Sequence, residues 1–516
     1  MNTLNEILLS EIDGFRALGH KFLNGEISKN EFKGISGGMG VYAERSGKKL
    51  MIRFRIPSGI ASIKDLKLIY DFAVKYKLEG IHLTTRQAIQ IHGITVDEVC
   101  DAMEEGIKKG LYSRGSGGNF PRNVAVSPLS GVEMNEVFDV SPYALAVGEH
   151  FLRKVYTYKL PRKFKVAFSS NDKDESHVTA TDLGFLAVKE NGIEYFKVYL
   201  GGGIGNNSKL SAKREQLIKP EDILYHVEAI TELFINEGDY VNKGRARIRY
   251  IMERMGEKKF IECYNSYLEK VKAKNNLRIN VKSVVYDKTG CDTSIKSPRL
   301  FSQKQKGLYS VYVHPIGGQL KTEHLKLIID KTETMNFVEI RLAMSEGLYI
   351  RNLNGKEAEI LLELTNGMGG NTKLQYSVAC IGVPTCQMGI LESQRTLNEI
   401  LNYFKENNFK KDILPQVHIS GCPNSCSVHE IGTIGFCGKK KKIEDKLLNV
   451  FELYFGGNLG IGKTKLAKYY GDIKQEEVPK LLFELASVAC VSNKDFNSWA
   501  EKNEYELNKI INKYIV

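Results

Sequence analysis

"IHLTTRQAIQIHGI" (residues 81–94) returns in altered form as "IRLAMSEGLYIRNL" (residues 340–353). Two further pairs of segments match in the same order and at nearly the same offset: "FRIPSG" (54–59) with "YVHPIGG" (312–318), and "YFKVYLGGGIGNNSKLSA" (195–212) with "LYFGGNLGIGKTKLAK" (453–468). The offset is about half of the 516 residues. Three collinear matches of this kind indicate that the chain is internally duplicated.

Each half begins with alternating, β-branched segments that predict strands, and the first half continues with a helix-like segment at 62–76. A mixed α/β segment then follows in each half. We therefore predict an α+β fold with these segments: an N-terminal extension (1–45), two strand-rich segments (46–112 and 308–368), two α/β segments (113–275 and 369–516) and a polar linker (276–307).

The composition is that of a globular protein, with 42% hydrophobic and 26% charged residues. No apolar segment approaches the roughly 20 residues of a membrane span, and the acidic, helix-like N-terminus does not resemble a signal peptide. We expect a cytoplasmic protein without a membrane partner.

The formal net charge is +12. Because the basic residues are not gathered in one stripe, we do not expect a nucleic-acid partner, and an anionic substrate, an anionic cofactor or an acidic protein would explain the charge. The one dense basic segment, "GKKKKIEDK" (438–446), is predicted to be a solvated loop.

Four cysteines of the second half form a pattern. Cys380 and Cys386 are followed, after 35 residues, by Cys422 and Cys426, and both pairs stand in Gly/Pro loops. The C-x5-C spacing fits poorly to zinc knuckles. Four thiolates on such loops suit a [4Fe-4S] cluster, whose sulfurs accept backbone N–H bonds. Four unrelated buried cysteines are the alternative. Cys437, which has no such partner, is interpreted as a small buried hydrophobe.

C-x5-C followed by G-C-P-N-x-C resembles the signature of the siroheme-containing nitrite and sulfite reductases, and the resemblance covers nearly the whole chain. It implies an internally duplicated α+β fold, with paired ferredoxin-like half-domains and two α/β siroheme-binding domains. It also implies that Cys380, Cys386, Cys422 and Cys426 hold a [4Fe-4S] cluster, and that Cys426 ligates siroheme as well.

The same resemblance implies that four basic residues bind the anionic substrate. The motifs T-x-R-Q, R-N-V and L-P-R-K-x-K place them at Arg86, Arg122, Lys163 and Lys165. Guanidinium and ammonium groups neutralise sulfite or nitrite and donate hydrogen bonds to the departing oxygens. Taken singly, Arg86 could be a surface ion-pair partner, and the two lysines could protect an exposed strand edge.

The duplication predicts a division of labour between the halves. Pairing Pro128 with Pro384, and Pro161 with Pro415, aligns the thiol loops with first-half loops that carry Arg122, Arg162, Lys163 and Lys165. In this alignment Ser345 replaces Arg86 and Val378 replaces Arg122. One half would hold the cluster, and the other would supply cations.

Further arginines are candidates for binding the siroheme carboxylates. Arg53 and Arg55 share one strand face, and their predicted counterparts in the second half, Val311 and Val313, are apolar. Arg162 is a further candidate, and so are three arginines that alternate in the sequence: Arg245, Arg247 and Arg249.

The predicted function is the six-electron reduction of sulfite to sulfide, with ferredoxin or another external one-electron donor, because both halves are taken up by the duplicated fold. Lys163 and Lys165 resemble the sulfite branch of the family, whereas the sequence around "SGCPNSC" resembles the ferredoxin–nitrite reductases. Nitrite reduction to ammonia is therefore the main alternative. A basic RNA-binding protein with an iron–sulfur cluster and a non-catalytic metal or redox sensor are alternatives from other classes.

Overall fold

The computed structural model describes residues 3–282, 284–492 and 495–516. Within them lie fifteen α-helices and twenty strands. The helices are α1 (Leu4–Ser10), α2 (Ile12–Leu23), α3 (Lys29–Met39), α4 (Ile63–Lys75), α5 (Val96–Lys109), α6 (Ser141–Arg153), α7 (Ile223–Glu237), α8 (Ile248–Met255), α9 (Glu257–Lys274), α10 (Thr322–Glu333), α11 (Gly355–Leu364), α12 (Ser393–Glu406), α13 (Val478–Val491), α14 (Phe496–Lys502) and α15 (Glu504–Asn512).

The strands of the first half are β1 (Val41–Ala43), β2 (Leu50–Phe54), β3 (Ile60–Ala61), β4 (Gly80–Leu83), β5 (Ile89–Ile94), β6 (Ala125–Val126), β7 (Val166–Ser169), β8 (Leu183–Glu190), β9 (Ile193–Leu200) and β10 (Ala212–Lys213). Those of the second half are β11 (Leu300–Ser302), β12 (Leu308–Val313), β13 (Gln319–Lys321), β14 (Glu339–Leu342), β15 (Leu348–Asn354), β16 (Val378–Ala379), β17 (Val417–Ser420), β18 (Ile434–Ile443), β19 (Lys446–Phe455) and β20 (Lys468–Lys474).

Capping side chains explain where several helices begin. The Ser62 side chain accepts a hydrogen bond from the Asp65 N–H, and the Asp65 carboxylate accepts one from the Ser62 N–H. This capping box starts α4 where the sequence pattern of 62–76 predicts a helix. The apolar face of α4 then buries Ile69 and Phe72 against the first sheet.

Two antiparallel sheets form the ferredoxin-like half-domains, and each contains one strand from the other half of the chain. Their strand orders are β1-β2-β5-β4-β13 and β11-β12-β15-β14-β3. β13 pairs with β4, and β3 pairs with β14. One apolar core lies behind both sheets. The two half-domains are therefore interlocked by a strand exchange.

Two further sheets share one topology. Their strand orders are β6-β7-β8-β9-β10 and β16-β17-β18-β19-β20. The first three strands of each run parallel, and the last two pair antiparallel. Each sheet has its own apolar core. The predicted duplicated α+β fold is thus confirmed.

The strand pairing corrects the predicted alignment of the loops. β7 and β17 are equivalent central strands, and each is followed by a loop that leads into a short 3₁₀ turn, at Val178–Ala180 and His429–Ile431. In this register Asn171 corresponds to Cys422 and Glu175 to Cys426. The predicted pairing of Pro161 with Pro415 is therefore wrong by three residues.

The preceding strands show the same error. Ala125 pairs with Ala167, and Val378 pairs with His418, so β6 and β16 are equivalent. The predicted pairings Pro128 with Pro384 and Arg122 with Val378 are wrong by three residues as well. In the observed register Arg122, Lys163 and Lys165 correspond to three uncharged residues: Gln375, Leu414 and Gln416.

The N-terminal 45 residues contain α1–α3 and then strand β1, which forms the edge of the first half-domain sheet. Between α9 and β11 the described residues form no helix or strand. No helix in the described part of the chain is both long and apolar enough to cross a membrane.

The dense basic segment 438–446 forms a hairpin: its residues up to 443 lie in β18, residue 446 begins β19, and 444–445 form an exposed turn. Its prediction as a solvated loop is therefore wrong except at that turn. β18 pairs along its whole length with β19. Alternate lysines face β20, where Lys439 and Lys441 form ion pairs with Asp472 at 3.2 and 2.8 Å. A partner strand and a buried carboxylate thus hold this segment in extended form.

Candidate functional site

A cavity of about 900 Å³ lies between the two halves of the chain. Its volume is in the range of cofactor sites. Four thiols line it from the second half and a set of cations lines it from the first: Cys380, Cys386, Cys422 and Cys426, with Arg53, Arg55, Arg86, Arg122, Arg162, Lys163 and Lys165.

Two neighbouring parallel strands position the thiols. Cys380 directly follows β16, and Cys422 stands two residues after β17. The carboxyl ends of adjacent parallel strands meet at one edge of a sheet, so both loops open into the same cavity. The structure places the cysteine pairs in loops, as the sequence predicts.

Backbone amides point at the sulfurs. Cys380 Sγ accepts from the Gly421 N–H at 3.2 Å, and Cys386 and Cys422 also have backbone N–H groups at their sulfurs. Burial raises the pKa of the Cys380, Cys386 and Cys422 thiols, and the negative charges of the other thiols in the cavity add to this effect. Such a site is unfavourable for free thiolates and favourable for metal-bound ones.

This donor set fits an iron–sulfur cluster better than a single ion. Among the described residues, no three His, Cys, Asp or Glu side chains converge closely enough to hold one metal ion. A [4Fe-4S] cluster makes no such demand, because each thiolate binds a different iron. Cys437 lies outside the cavity, buried in β18, as predicted for a small hydrophobe.

The first half supports the thiol loops from the other side. The Thr85 hydroxyl donates to the Cys426 carbonyl at 2.6 Å. The Arg45 N–H donates to the Thr385 carbonyl at 2.9 Å, and the Arg45 guanidinium donates to the Gly389 carbonyl. The loop between β4 and β5 and the edge of β1 therefore fix the thiol loops across the cavity.

Arg86 and Arg122 face the cavity and are fixed by backbone carbonyls. Arg86 donates to the Asn123 and Val166 carbonyls. Arg122 donates to the carbonyls of Gly117 and Gly118. Neither guanidinium has a carboxylate partner among the described residues, and each keeps donors free for a ligand. The surface ion-pair interpretation of Arg86 is thus not what the structure has.

Lys163 and Lys165 precede β7 and point into the same cavity. Neither ammonium group forms a hydrogen bond or ion pair with any described residue. Burial, with the nearby Arg247 and Arg122, lowers the pKa of Lys163 to about 7. Burial and the charge of Lys163 hold the pKa of Lys165 well below its usual value. Unpaired, half-buried cations of this kind are stabilised when an anion enters.

The predicted siroheme-binding arginines divide into two groups. Arg53, Arg55 and Arg162 line the cavity. Arg245 and Arg247 do not line it: Arg245 is exposed in a 3₁₀ turn, and Arg247 forms a buried ion pair with Asp182 at 2.8 Å.

The alternation of arginines at 245–249 does not produce a strand. Arg247 occupies the N-cap position of α8 without a side-chain capping bond, and Arg249 lies in the first turn with two nitrogens that lack partners among the described residues. The apolar residues between these arginines, Ala246 and Ile248, are buried, so the segment packs as a turn and a helix start.

Sequence reasoning missed three residues that matter here. Tyr42 lines the cavity. Burial alone would raise the pKa of Tyr42, but the nearby positive charges, first those of Arg122 and Arg53, bring it below its usual value. His177 also lines the cavity, and Asp182 anchors Arg247. His177 could have been found in the corrected register, because it corresponds to Val428 in the thiol loop.

The equivalent space in the second half is filled by aromatic side chains. Arg53 pairs with Gln90 across β2 and β5, and Tyr312 pairs with Tyr349 across β12 and β15. Tyr312 and the following His314, rather than Val311 and Val313, are thus the counterparts of Arg53 and Arg55. These rings contact Tyr376 and one another at centroid distances of 4.6 to 5.9 Å.

The first-half loops that correspond to the thiol loops carry Ser127 and Asn171 where the second half has Cys380 and Cys422. The Ser170 N–H donates to Ser127 Oγ at 3.2 Å, as the Gly421 N–H does to Cys380 Sγ. Asn171, the counterpart of Cys422, donates to Glu133 at 2.6 Å. One half therefore keeps the thiols, and the other closes the same place with polar contacts.

Comparisons with known proteins agree with this geometry. Residues 117–272 and 371–488, more than half of the chain, match the family model "Nitrite and sulphite reductase 4Fe-4S domain", and residues 42–108 match "Nitrite/Sulfite reductase ferredoxin-like half domain".

Two curated relatives are each 25% identical. A ferredoxin–nitrite reductase of Synechococcus elongatus aligns over 85% of both chains, and a sulfite reductase [ferredoxin] of Mycolicibacterium paratuberculosis aligns over 84% of this chain and 81% of its own. The solved structure of the Mycobacterium tuberculosis NirA protein shares the fold, with a TM-score of 0.77 at 22% identity over 93% of this chain and 92% of that one.

Proposed function

Because the chain belongs to the nitrite and sulfite reductase family, a family of oxidoreductases that use siroheme and a [4Fe-4S] cluster, we propose that it reduces sulfite to sulfide. The electrons would come singly from ferredoxin or another external donor. The observation that carries the choice of sulfite is the second lysine, Lys165, which lines the cavity beside Lys163. This pair of lysines resembles the sulfite reductases of the family, whereas the nitrite reductases tend to have Asn at the position of Lys165.

The residues around the cavity fit both cofactors. Cys380, Cys386, Cys422 and Cys426 would hold the cluster, with Cys426 shared with siroheme. Three cavity-lining arginines would bind siroheme carboxylates: Arg53, Arg55 and Arg162. When bound, siroheme supplies an iron that binds the anion, and the cluster supplies electrons one at a time.

The protein's own groups would handle the charge and the protons. Arg86 and Arg122 neutralise the anion and donate hydrogen bonds to its oxygens. Each departing oxygen leaves as water and takes two protons. A lysine whose pKa is lowered to about 7 is protonated in about half of the molecules at neutral pH and releases its proton readily, so Lys163 is suited to donate it.

Nitrite is the second candidate substrate. The relative from Synechococcus elongatus is named a ferredoxin–nitrite reductase and aligns over 85% of this chain. Nitrite is a smaller anion that the same cations would neutralise.

Cofactor content tests the first part of the proposal. Purified protein should show the absorbance of both a reduced tetrapyrrole and an iron–sulfur cluster. Cys422→Ser should lose iron, whereas Cys437→Ser, a cysteine outside the cavity, should keep it. Equal iron in both variants would refute the assignment of the four thiols.

Substrate preference is tested by steady-state rates with sulfite and nitrite under the same electron donor. We expect a higher kcat/KM for sulfite, and we expect Lys165→Asn to shift the ratio of the two values towards nitrite. A higher kcat/KM for nitrite in the wild-type enzyme would make nitrite the substrate instead.

A further inference from the structure

His177 stands at the turn that leads from β7 into the next strand and lines the cofactor cavity. Its backbone lies in the left-handed region, at φ 63°. That conformation is uncommon for a residue other than glycine and is held here by its surroundings. The buried Asp174 accepts hydrogen bonds from the N–H groups of Val178 and Thr179, which fixes the turn.

The imidazole has no partner in the protein. Neither ring nitrogen forms a hydrogen bond with any described residue, and the half-buried side chain faces the cavity. Arg86 and Lys165, the proposed anion-binding cations, lie close enough for their charges to act on the ring, and His418 is the third such group. An unpaired imidazole beside two anion-binding groups has both its donor and its acceptor available to a ligand in the cavity.

The ring is uncharged at neutral pH. Burial, with His418, Arg86 and Lys165, lowers the pKa of His177 to about 3. A neutral imidazole carries one N–H donor and one bare acceptor nitrogen. It can therefore accept a proton on one side while it gives one up on the other.

We propose that His177 is a further catalytic residue of this site, which relays a proton from Lys165, through one water molecule, to a departing oxygen of the bound oxyanion. This inference rests on the proposed function. Lys165 and His177 are not hydrogen-bonded to each other, so the Lys165 ammonium gives its proton to a water between them. That water gives one of its protons to the bare ring nitrogen, which forms an N–H bond. At the same time the opposite N–H bond breaks, and its proton forms an O–H bond on the anion.

The proton count of this step balances without a charged ring. Lys165 becomes a neutral amine, the oxygen becomes a hydroxyl, and His177 changes only its tautomer. Electrons enter separately, from the external donor of the proposed reaction. A second proton on the same oxygen releases water, after Lys165 has regained a proton from solvent.

Three substitutions distinguish relay from structure. His177→Asn and His177→Gln keep hydrogen-bonding groups but cannot change tautomer, and asparagine tolerates the left-handed backbone. His177→Gly suits φ 63° and leaves space that free imidazole can enter. His324→Asn, on α10 outside the cavity, is the matched control. Iron content, the siroheme spectrum and the nitrite dissociation constant, measured by absorbance titration of the oxidised holoenzyme, are compared in all four.

We expect His177→Asn and His177→Gln to lower kcat for nitrite and sulfite by about 10²-fold, the usual size of an acid–base contribution. The solvent isotope effect on kcat should rise, while the dissociation constant changes little. Added imidazole should restore the rate of His177→Gly, and the control should behave as the wild type.

Other results would overturn the relay. Unchanged kcat in the His177 variants would do so, and so would loss of affinity without rescue by imidazole, or loss of cofactors in all three variants. A wild-type enzyme that reduces neither anion would overturn the proposed function itself. Wild-type turnover with unaffected variants would overturn only this inference.

Discussion

Asp182 fixes the guanidinium of Arg247 and the backbone of Lys165. Its carboxylate accepts from the Arg247 guanidinium at 2.8 Å and from the Lys165 backbone N–H at 2.9 Å, and it is fully buried. We predict that Asp182→Asn destabilises the protein by about 3–5 kcal/mol, because Arg247 is left buried and uncompensated. Urea unfolding measures this loss. An unchanged midpoint would show that solvent reaches Arg247.

Lys163 makes the stability of the cofactor-free protein depend on pH. Its pKa is lowered to about 7, whereas an unfolded lysine titrates near 10.4. Between these values the unfolded chain binds more protons, so this group makes stability rise as pH rises from about 7 to about 10. We predict that Lys163→Met raises the Tm of the cofactor-free protein at pH 7, and that its advantage over wild type shrinks towards pH 10.

The matched control for this prediction is Lys243→Met, an exposed lysine at the rim of the same cavity. It should change the Tm little at either pH. A Lys163→Met variant whose Tm differs from wild type by the same amount at pH 7 and pH 10 would contradict the prediction.

At this scale the sequence was informative about the cysteines and the lysines, because spacing and motif identify them without a fold. It was silent about Asp182 and His177. Asp182 acts through a partner 65 residues away, and His177 gains its meaning from the neighbours that the folded chain places around it.

The exchanged strand β13 stabilises the sheet of the other half. Leu320 is buried at 1% exposure and pairs with Ile81 of β4. We predict that Leu320→Ala costs about 2–5 kcal/mol and speeds amide exchange in β4, although the substitution lies in the second half. Hydrogen–deuterium exchange of β4 measures this effect. The neighbouring Lys321→Ala, exposed on the same strand, is the control, and faster exchange confined to the second-half strands would contradict the prediction.

The elements show where prediction from sequence fails. The duplication and α4 followed from repeats and periodicity. The strand exchange did not, because β3 and β13 have two and three residues, too few for a periodic signal. The loop alignment was wrong by three residues because prolines served as anchors, while the true constraint is the pairing of β6 with β7 and of β16 with β17.

At the scale of the whole molecule, the net charge of +12 affects the encounter with an electron donor. We predict that the rate with an acidic ferredoxin falls as ionic strength rises from about 0.01 to 0.15 M, because the screening length shrinks from about 30 to 8 Å. Stopped-flow measurements of electron transfer test this. The rate with a small uncharged reductant should change much less, and equal salt dependence for both donors would contradict charge steering.

The two halves share a fold but not a chemistry. Tyr312, Tyr349 and Tyr376 occupy the place that corresponds to the cofactor cavity, and Asn171 and Glu133 close the place that corresponds to the thiol loops. The repeats in the sequence predicted two similar halves, but only the side-chain packing explains why the place that corresponds to this cavity is filled in the second half.

The strand exchange also bears on how such a chain could arise. A polypeptide of one half alone would leave the outer edge of β4 uncovered and would hold β3 without a neighbour. Two identical copies could each lend β3 to the other and form a symmetric dimer with two equal cavities. Fusion of the two genes would then free the copies to diverge, so that one cavity could keep its ligand while its twin was filled from within.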